Sequence, residues 1–112
     1  MQNLRILFYM KGLIMINYTE KIIDWSIDRN LHNQDPVKQI AKFLEEGGEL
    51  ASALVKNKPN LVKDSIGDIY VVLVVLCTQL NIDINECIEL AYNEIKDRTG
   101  KIVDGVYVKD EN

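Results

Sequence analysis

Apolar residues along the chain recur at helical spacing in successive blocks separated by short polar breaks. From about Asn17 to Arg29, Ile22, Ile23, Trp25 and Ile27 supply an apolar side, and Asn17 with Glu20 has the spacing of a capping box. Asn30 to Gln34 is a polar loop. Asp35-Pro36 then opens a second helix, with Asp as N-cap and Pro at the first helical position. Its residues Ile40, Phe43, Leu44, Gly47, Leu50, Ala51 and Leu54 fall within about 120° of arc, and Glu46 and Glu49 lie outside it. Asn57-Lys58-Pro59-Asn60 is a turn, which makes the second and third helices antiparallel neighbours.

The third helix is expected from near Asn60 to about Leu80. Its stretch Ile69 to Cys77 is apolar on every side, and by propensity alone those β-branched residues suit a buried strand. Helix is preferred because the pattern extends both ways without turn residues. A helix apolar all round must be surrounded, and a bundle this small needs a second copy to do that. Asp83 with Glu86 starts a fourth helix, expected to reach about Thr99, stop at Gly100 and bury Cys87, Ile88, Leu90, Ala91 and Ile95. Lys101 to Val108 reads as a β-hairpin turning on Asp104-Gly105. The expected fold is all-α, an antiparallel bundle of about four helices with a small C-terminal β-hairpin, formed by residues 15–112. Residues 1–14 read either as a leader or added arm, or as a short helix or strand packed on the domain. They are too short an apolar stretch to span a bilayer and lack a signal-peptide cleavage site.

Composition narrows the chemistry. At 112 residues the chain is one domain, and its net charge of −4 argues against nucleic-acid binding. Cys77 and Cys87 sit in apolar helical contexts without the spacing of a zinc site or a disulfide scaffold. A reduced, cytoplasmic compartment and no membrane association are the expectations.

The acidic residues carry the chemistry. Glu46 and Glu49 share one helix face, and Asp64 and Asp68 share another on the neighbouring helix. Carboxylates converging from two antiparallel helices repel one another unless a hard divalent cation such as Mg²⁺ takes them as oxygen ligands. The bland alternative is a solvated acidic surface. Gly47-Gly48 in mid-helix costs roughly 1 kcal/mol per glycine relative to alanine. It marks a close approach by a ligand or backbone, or else a kink or packing notch. His32 stands alone in a loop, and neither Glu-x-x-His pairs nor a Gly-rich phosphate loop occurs.

Glu-Glu-x-Gly-Glu-Leu, a turn, and an acidic helix carrying Gly-Asp before a long apolar run together resemble the MazG-like nucleotide pyrophosphohydrolases. These belong to the all-α NTP pyrophosphatase superfamily, and the likeness is strongest to the short, single-domain proteins of Firmicutes and their phages. It covers Trp25 to Val108 and includes Asp28-Arg29-Asn30-Leu31 and Tyr92-Asn93-x-x-Lys96-Asp97-Arg98. The resemblance implies hydrolysis of a nucleoside triphosphate to the monophosphate and pyrophosphate with Mg²⁺ or Mn²⁺. The family motif is Glu-x-x-Glu, a spacer, then Glu-x-x-Asp. Glu46, Glu49 and Asp68 fill three positions, and Ser65 departs from the fourth, where Asp64 one residue earlier can supply the missing oxygen. Glu45 or a metal-bound carboxylate would orient or deprotonate the attacking water. Lys96 and Arg98, with Lys42 and Lys101 as weaker candidates, would pair with phosphates. Asn93 matches a substrate-site position, and Trp25 would stack on a base. Such a protein is expected to be a homodimer or homotetramer acting on nucleoside triphosphates. The rival reading is a non-catalytic nucleotide- or protein-binding module.

Overall fold

Start and stop signals in the sequence set the element boundaries. A computed structural model describes residues 17–111. It contains helices α1 (Tyr18–Asp28), α2 (Pro36–Val55), α3 (Pro59–Gln79) and α4 (Ile84–Ile95), and an antiparallel pair, β1 (Gly100–Val103) and β2 (Val106–Lys109). The fold class is the expected one. The expectation for residues 1–14 lies outside the described residues.

Three helices begin at a side-chain cap. Asn17 accepts from the Glu20 N–H at 3.2 Å, Asp35 from Val37 N–H at 2.9 Å, and Asp83 from Asn85 N–H at 2.9 Å. The ends share a device that pattern reading took only for polar breaks. Asn30, Asn57 and Asn81 follow α1, α2 and α3 with left-handed φ of 59°, 54° and 56°. After α3, Asn81 N–H donates to the Thr78 carbonyl at 3.2 Å and Ile82 N–H to the Cys77 carbonyl at 2.8 Å. After α2, Asn57 and Lys58 make the equivalent bonds to Leu54 and Ala53. This is the Schellman arrangement, with Asn in the place usually taken by Gly.

α2 and α3 form an antiparallel hairpin, and α1 lies against α3. Ala53 of α2 and Val72, Val74 and Val75 of α3 are buried, with Phe43, Leu50 and Ile69 half-buried around them. Thr19 of α1 shares a 2.6 Å hydrogen bond with the Tyr70 hydroxyl, and Gln39 of α2 donates to the Val72 carbonyl at 3.2 Å. The β-branched run Ile69 to Cys77 is helix, as expected.

Four expectations need correction. The face α2 turns to α3 runs through Gln39, Phe43, Glu46, Leu50 and Ala53, so Glu46 is inside the seam rather than outside the apolar arc. Ile40, Leu44, Ala51 and Leu54 face away, Leu44 being 66 % exposed. The apolar arc of α2 is wider than one neighbour can cover, and α3 takes only its flank. Helix α4 ends at Ile95 rather than near Thr99, and only Ile84 in it is buried. It leaves α3 at a bend of 110°, so Cys87, Ile88, Leu90, Ala91 and Ile95 remain exposed. Gly100 does not stop a helix but opens β1, where a Cβ would overlap the Val108 carbonyl and the Tyr107 ring. Asp104 (φ 51°) and Gly105 (φ 80°) make the hairpin turn, in agreement with a type I′ geometry.

The result is open. The radius of gyration is 16.9 Å, against about 13 Å for a compact domain of this length. Among the described residues, α4 touches the bundle only at α3, and β1 and β2 touch only each other.

Candidate functional site

The site grows out of the seam between α2 and α3. Because α2 presents Glu46 to α3, that carboxylate is drawn into the interior, where it is only 6 % exposed. One oxygen, Oε1, lies 3.3 Å from Lys42 Nζ, one helical turn back. The other, Oε2, is buried without a hydrogen-bond partner. An orphaned buried carboxylate oxygen is costly unless something electropositive reaches it.

Around Glu46 gather the other acids that the sequence singled out. The Glu49 carboxyl sits above its ordinary range, first because it hydrogen-bonds to Glu46 and then because of the Glu46 charge. Asp68 of α3 is also raised, chiefly by burial, then by the Asp64 and Glu46 charges. The Glu46 charge thus acts on carboxylates of both helices. Lys42 is the cation paired with these acids; its ammonium is stabilised by the Glu46 hydrogen bond and by the Glu45 and Glu46 charges. Glu45 itself is exposed on the α2 surface, 3.7 Å from Lys42.

The donor set is all oxygen, which suits Mg²⁺ or Mn²⁺ rather than a soft metal. No group of three or more His, Cys, Asp or Glu side chains among the described residues is spaced as a ready coordination cage. The unpartnered Glu46 oxygen and the raised neighbours fit a divalent cation in chemistry and charge. Ser65, at the departing motif position, is buried in the same seam, whereas Asp64 is exposed. α2 continues unbroken through Gly47 and Gly48, and a Cβ built on either would meet no atom within 4 Å.

The remaining candidates divide sharply. Trp25 of α1 lines an apolar pocket of about 350 Å³ with Tyr18, Ile22 and Val71, and the Arg29 guanidinium lies 4.6 Å from the centroid of its ring. Lys42 is committed to the carboxylates rather than free for phosphate. Asn93 of α4, and Lys96 and Arg98 just beyond its end, are not brought to the acids of α2, with which α4 makes no contact. Arg98 pairs instead with Glu94 at 3.2 Å. Sequence reading missed Lys56 and Lys58, which share a second cleft of about 300 Å³ with Glu49, Ser52, Ala53, Leu61, Asp64 and Ser65. Their only sequence signal was their place in the turn joining the two acidic helices.

Comparison with known proteins accords with this arrangement. The profile of the phosphoribosyl-ATP pyrophosphohydrolase family matches residues 14–94, which include every acid of the seam. The chain is 51 % identical over 65 residues to an uncharacterized 18.2 kDa protein encoded in the rep-hol intergenic region of Haemophilus phage HP1 (strain HP1c1). That match covers 57 % of this chain and 40 % of the phage protein, so the chain spans well under half of its relative's length. No solved structure matches.

Proposed function

The chain belongs to the phosphoribosyl-ATP pyrophosphohydrolase family, and from that footing we propose that it is a Mg²⁺-dependent nucleotide pyrophosphohydrolase of the neighbouring MazG-like kind. It would convert a nucleoside triphosphate to the monophosphate and pyrophosphate. The single observation that carries this reading is the buried, half-unpartnered Glu46 carboxylate, whose charge lifts Glu49 and Asp68 above the ordinary carboxylate range. A family whose reaction cleaves a phosphoanhydride supplies the reason for such a cluster.

Glu46, Glu49 and Asp68, with Asp64 at the rim, would hold the cation. When bound, it neutralises phosphate oxygens and polarises the bond to be broken. Glu46 reaches the site from a rigid seam, so its oxygen stays in place when the ligand arrives. Glu49 is exposed and can accept a hydrogen bond from water. Lys42, 3.3 Å from Glu46 Oε1, offsets the acidic field. Glu45 lies at the entrance, where it can orient the same water.

The open shape supports a homodimer or homotetramer. The outward faces of α2 and α4, with Leu44, Leu54, Ile88 and Leu90, leave more apolar surface uncovered than a monomer of this size normally shows. A second copy would cover them and could bring its Asn93, Lys96 and Arg98 toward these acids. No single helix among the described residues is long and apolar enough to cross a membrane, which agrees with the cytoplasmic location we propose.

The test is a panel of natural and modified nucleotides with Mg²⁺ or Mn²⁺, read as pyrophosphate release. Activity that survives Glu46→Gln or Asp68→Asn at near-normal rate would remove this site from the reaction. The rival, a nucleotide-binding module without turnover, draws support from Ser65 in the seam. It predicts Mg²⁺-dependent nucleotide binding by calorimetry and no pyrophosphate from any substrate.

A further inference from the structure

Helix α3 orders several chemistries along its length. Its start is the turn with Lys56 and Lys58. Asp64 and Asp68 follow, and then Val71, against which Trp25 packs in its apolar pocket. Positions 64, 68 and 71 fall within about 60° of one another around the axis, and at about 1.5 Å per residue Lys58 lies about 15 Å from Asp68. Lysine side chains reaching back from the turn bring their ammonium groups to within a few phosphate lengths of the acids.

The turn end has the character of an anion cradle. Lys56 and Lys58 both line the cleft of about 300 Å³ that Glu49, Asp64 and Ser65 close on the other side. Neither lysine forms an ion pair with the described residues, whereas Lys42 and Arg98 do. α3 also starts without a side-chain cap, unlike α1, α2 and α4. Its N-terminal end, where Pro59 has no N–H to offer, adds the positive end of the helix dipole to the field of the lysines.

We propose that Lys56 and Lys58 bind the pyrophosphate half of the nucleotide at the α2–α3 turn, so that the substrate lies along α3 with its nucleoside toward Trp25. This deepens the pyrophosphohydrolase reading and rests on it. The attacked phosphorus then sits beside Glu49 and Asp68, between the two ends. As the bond to the leaving phosphate breaks, charge builds on the pyrophosphate, where two ammonium groups stabilise it. Both lysines are exposed, so replacing them leaves the core untouched.

The experiment is product inhibition of the full-length enzyme with Mg²⁺, using inorganic pyrophosphate and the nucleoside monophosphate separately. The double variant Lys56→Gln/Lys58→Gln should weaken inhibition by pyrophosphate about tenfold or more while inhibition by the monophosphate moves less than about twofold. Lys56→Arg/Lys58→Arg should restore it. Unchanged pyrophosphate inhibition, or a shift confined to the monophosphate, overturns the assignment. If the wild-type chain releases no pyrophosphate from any nucleotide, the enzymatic reading itself fails. The lysines are then judged by calorimetry with Mg²⁺-pyrophosphate, where equal binding by wild type and double variant overturns the cradle.

Discussion

Replacing Gly48 with alanine separates a helix weakened for a reason from one weakened by accident. Gly48 lies in the middle of α2, is exposed, and has a φ in the ordinary helical range. The new methyl would meet no atom within 4 Å, so it brings neither a clash nor a packing gain. What remains is propensity. Alanine is favoured over glycine in a helix interior by about 1 kcal/mol, mainly through the freedom glycine retains in the unfolded chain. For a domain of this size that amounts to a rise in Tm of about 5 °C. Urea unfolding and thermal melts of the metal-free protein, followed by circular dichroism, read the change directly. Pyrophosphate release assayed on the same samples reads the other half. Gly48 adjoins Glu49, and if the bare backbone there gives a ligand room, turnover should drop several-fold while stability rises. A fall in Tm would refute the reasoning, since it would require a neighbour that the folded chain does not have. Higher stability with full activity would make the glycine pair idle.

Other substitutions reach the remaining features. Glu49→Gln should abolish pyrophosphate release yet stabilise the metal-free protein. Glu49 and Asp68 hold protons more tightly folded than unfolded, so metal-free stability should increase as pH falls from neutral toward the carboxylate range and be lost as pH rises. The variant should flatten that slope in urea titrations at several pH values, and an unchanged slope would contradict the carboxylate coupling. Asn81→Ala should cost about 1 kcal/mol, because alanine in the left-handed region is strained, while Asn81→Gly should be neutral or better. Leu44→Glu should yield a folded species of lower mass by light scattering, whereas Val75→Asp, which buries an unpaired charge, should unfold the chain.

Much of this architecture is written in local signals. Asn17, Asp35 and Asp83 announced three helix starts, and Asp104-Gly105 announced the hairpin turn, because each acts through backbone atoms a few residues away. The pairing of Glu46 with Glu49 and of Asp64 with Asp68 followed from helical spacing for the same reason. What escaped was everything that depends on how far a helix rotates about its axis. The apolar arc of α2 told how wide its buried surface is but not which flank meets α3, and so Glu46 was placed on the wrong side of the boundary. The direction of α4 was equally hidden. Its apolar residues announce burial, yet the 110° bend carries them away from the bundle of their own chain. Lys56 and Lys58 looked like ordinary turn residues, and only the cleft they share with Glu49 and Asp64 gives them a role.

The near-detachment of α4 bears on how the chain folds in time. The α2–α3 hairpin closes through contacts between residues close in sequence, with α1 docking on it soon after, and topologies of that kind form in microseconds to milliseconds. Helix α4 and the β1–β2 pair find almost nothing to dock against among the described residues, and helices of that length and isolated hairpins are marginal in water. Their ordering should then wait for an encounter between two chains. Refolding would show a fast phase indifferent to dilution, followed by a slower one whose rate climbs with protein concentration, and it is in that second phase that the final quarter of the sequence acquires its structure.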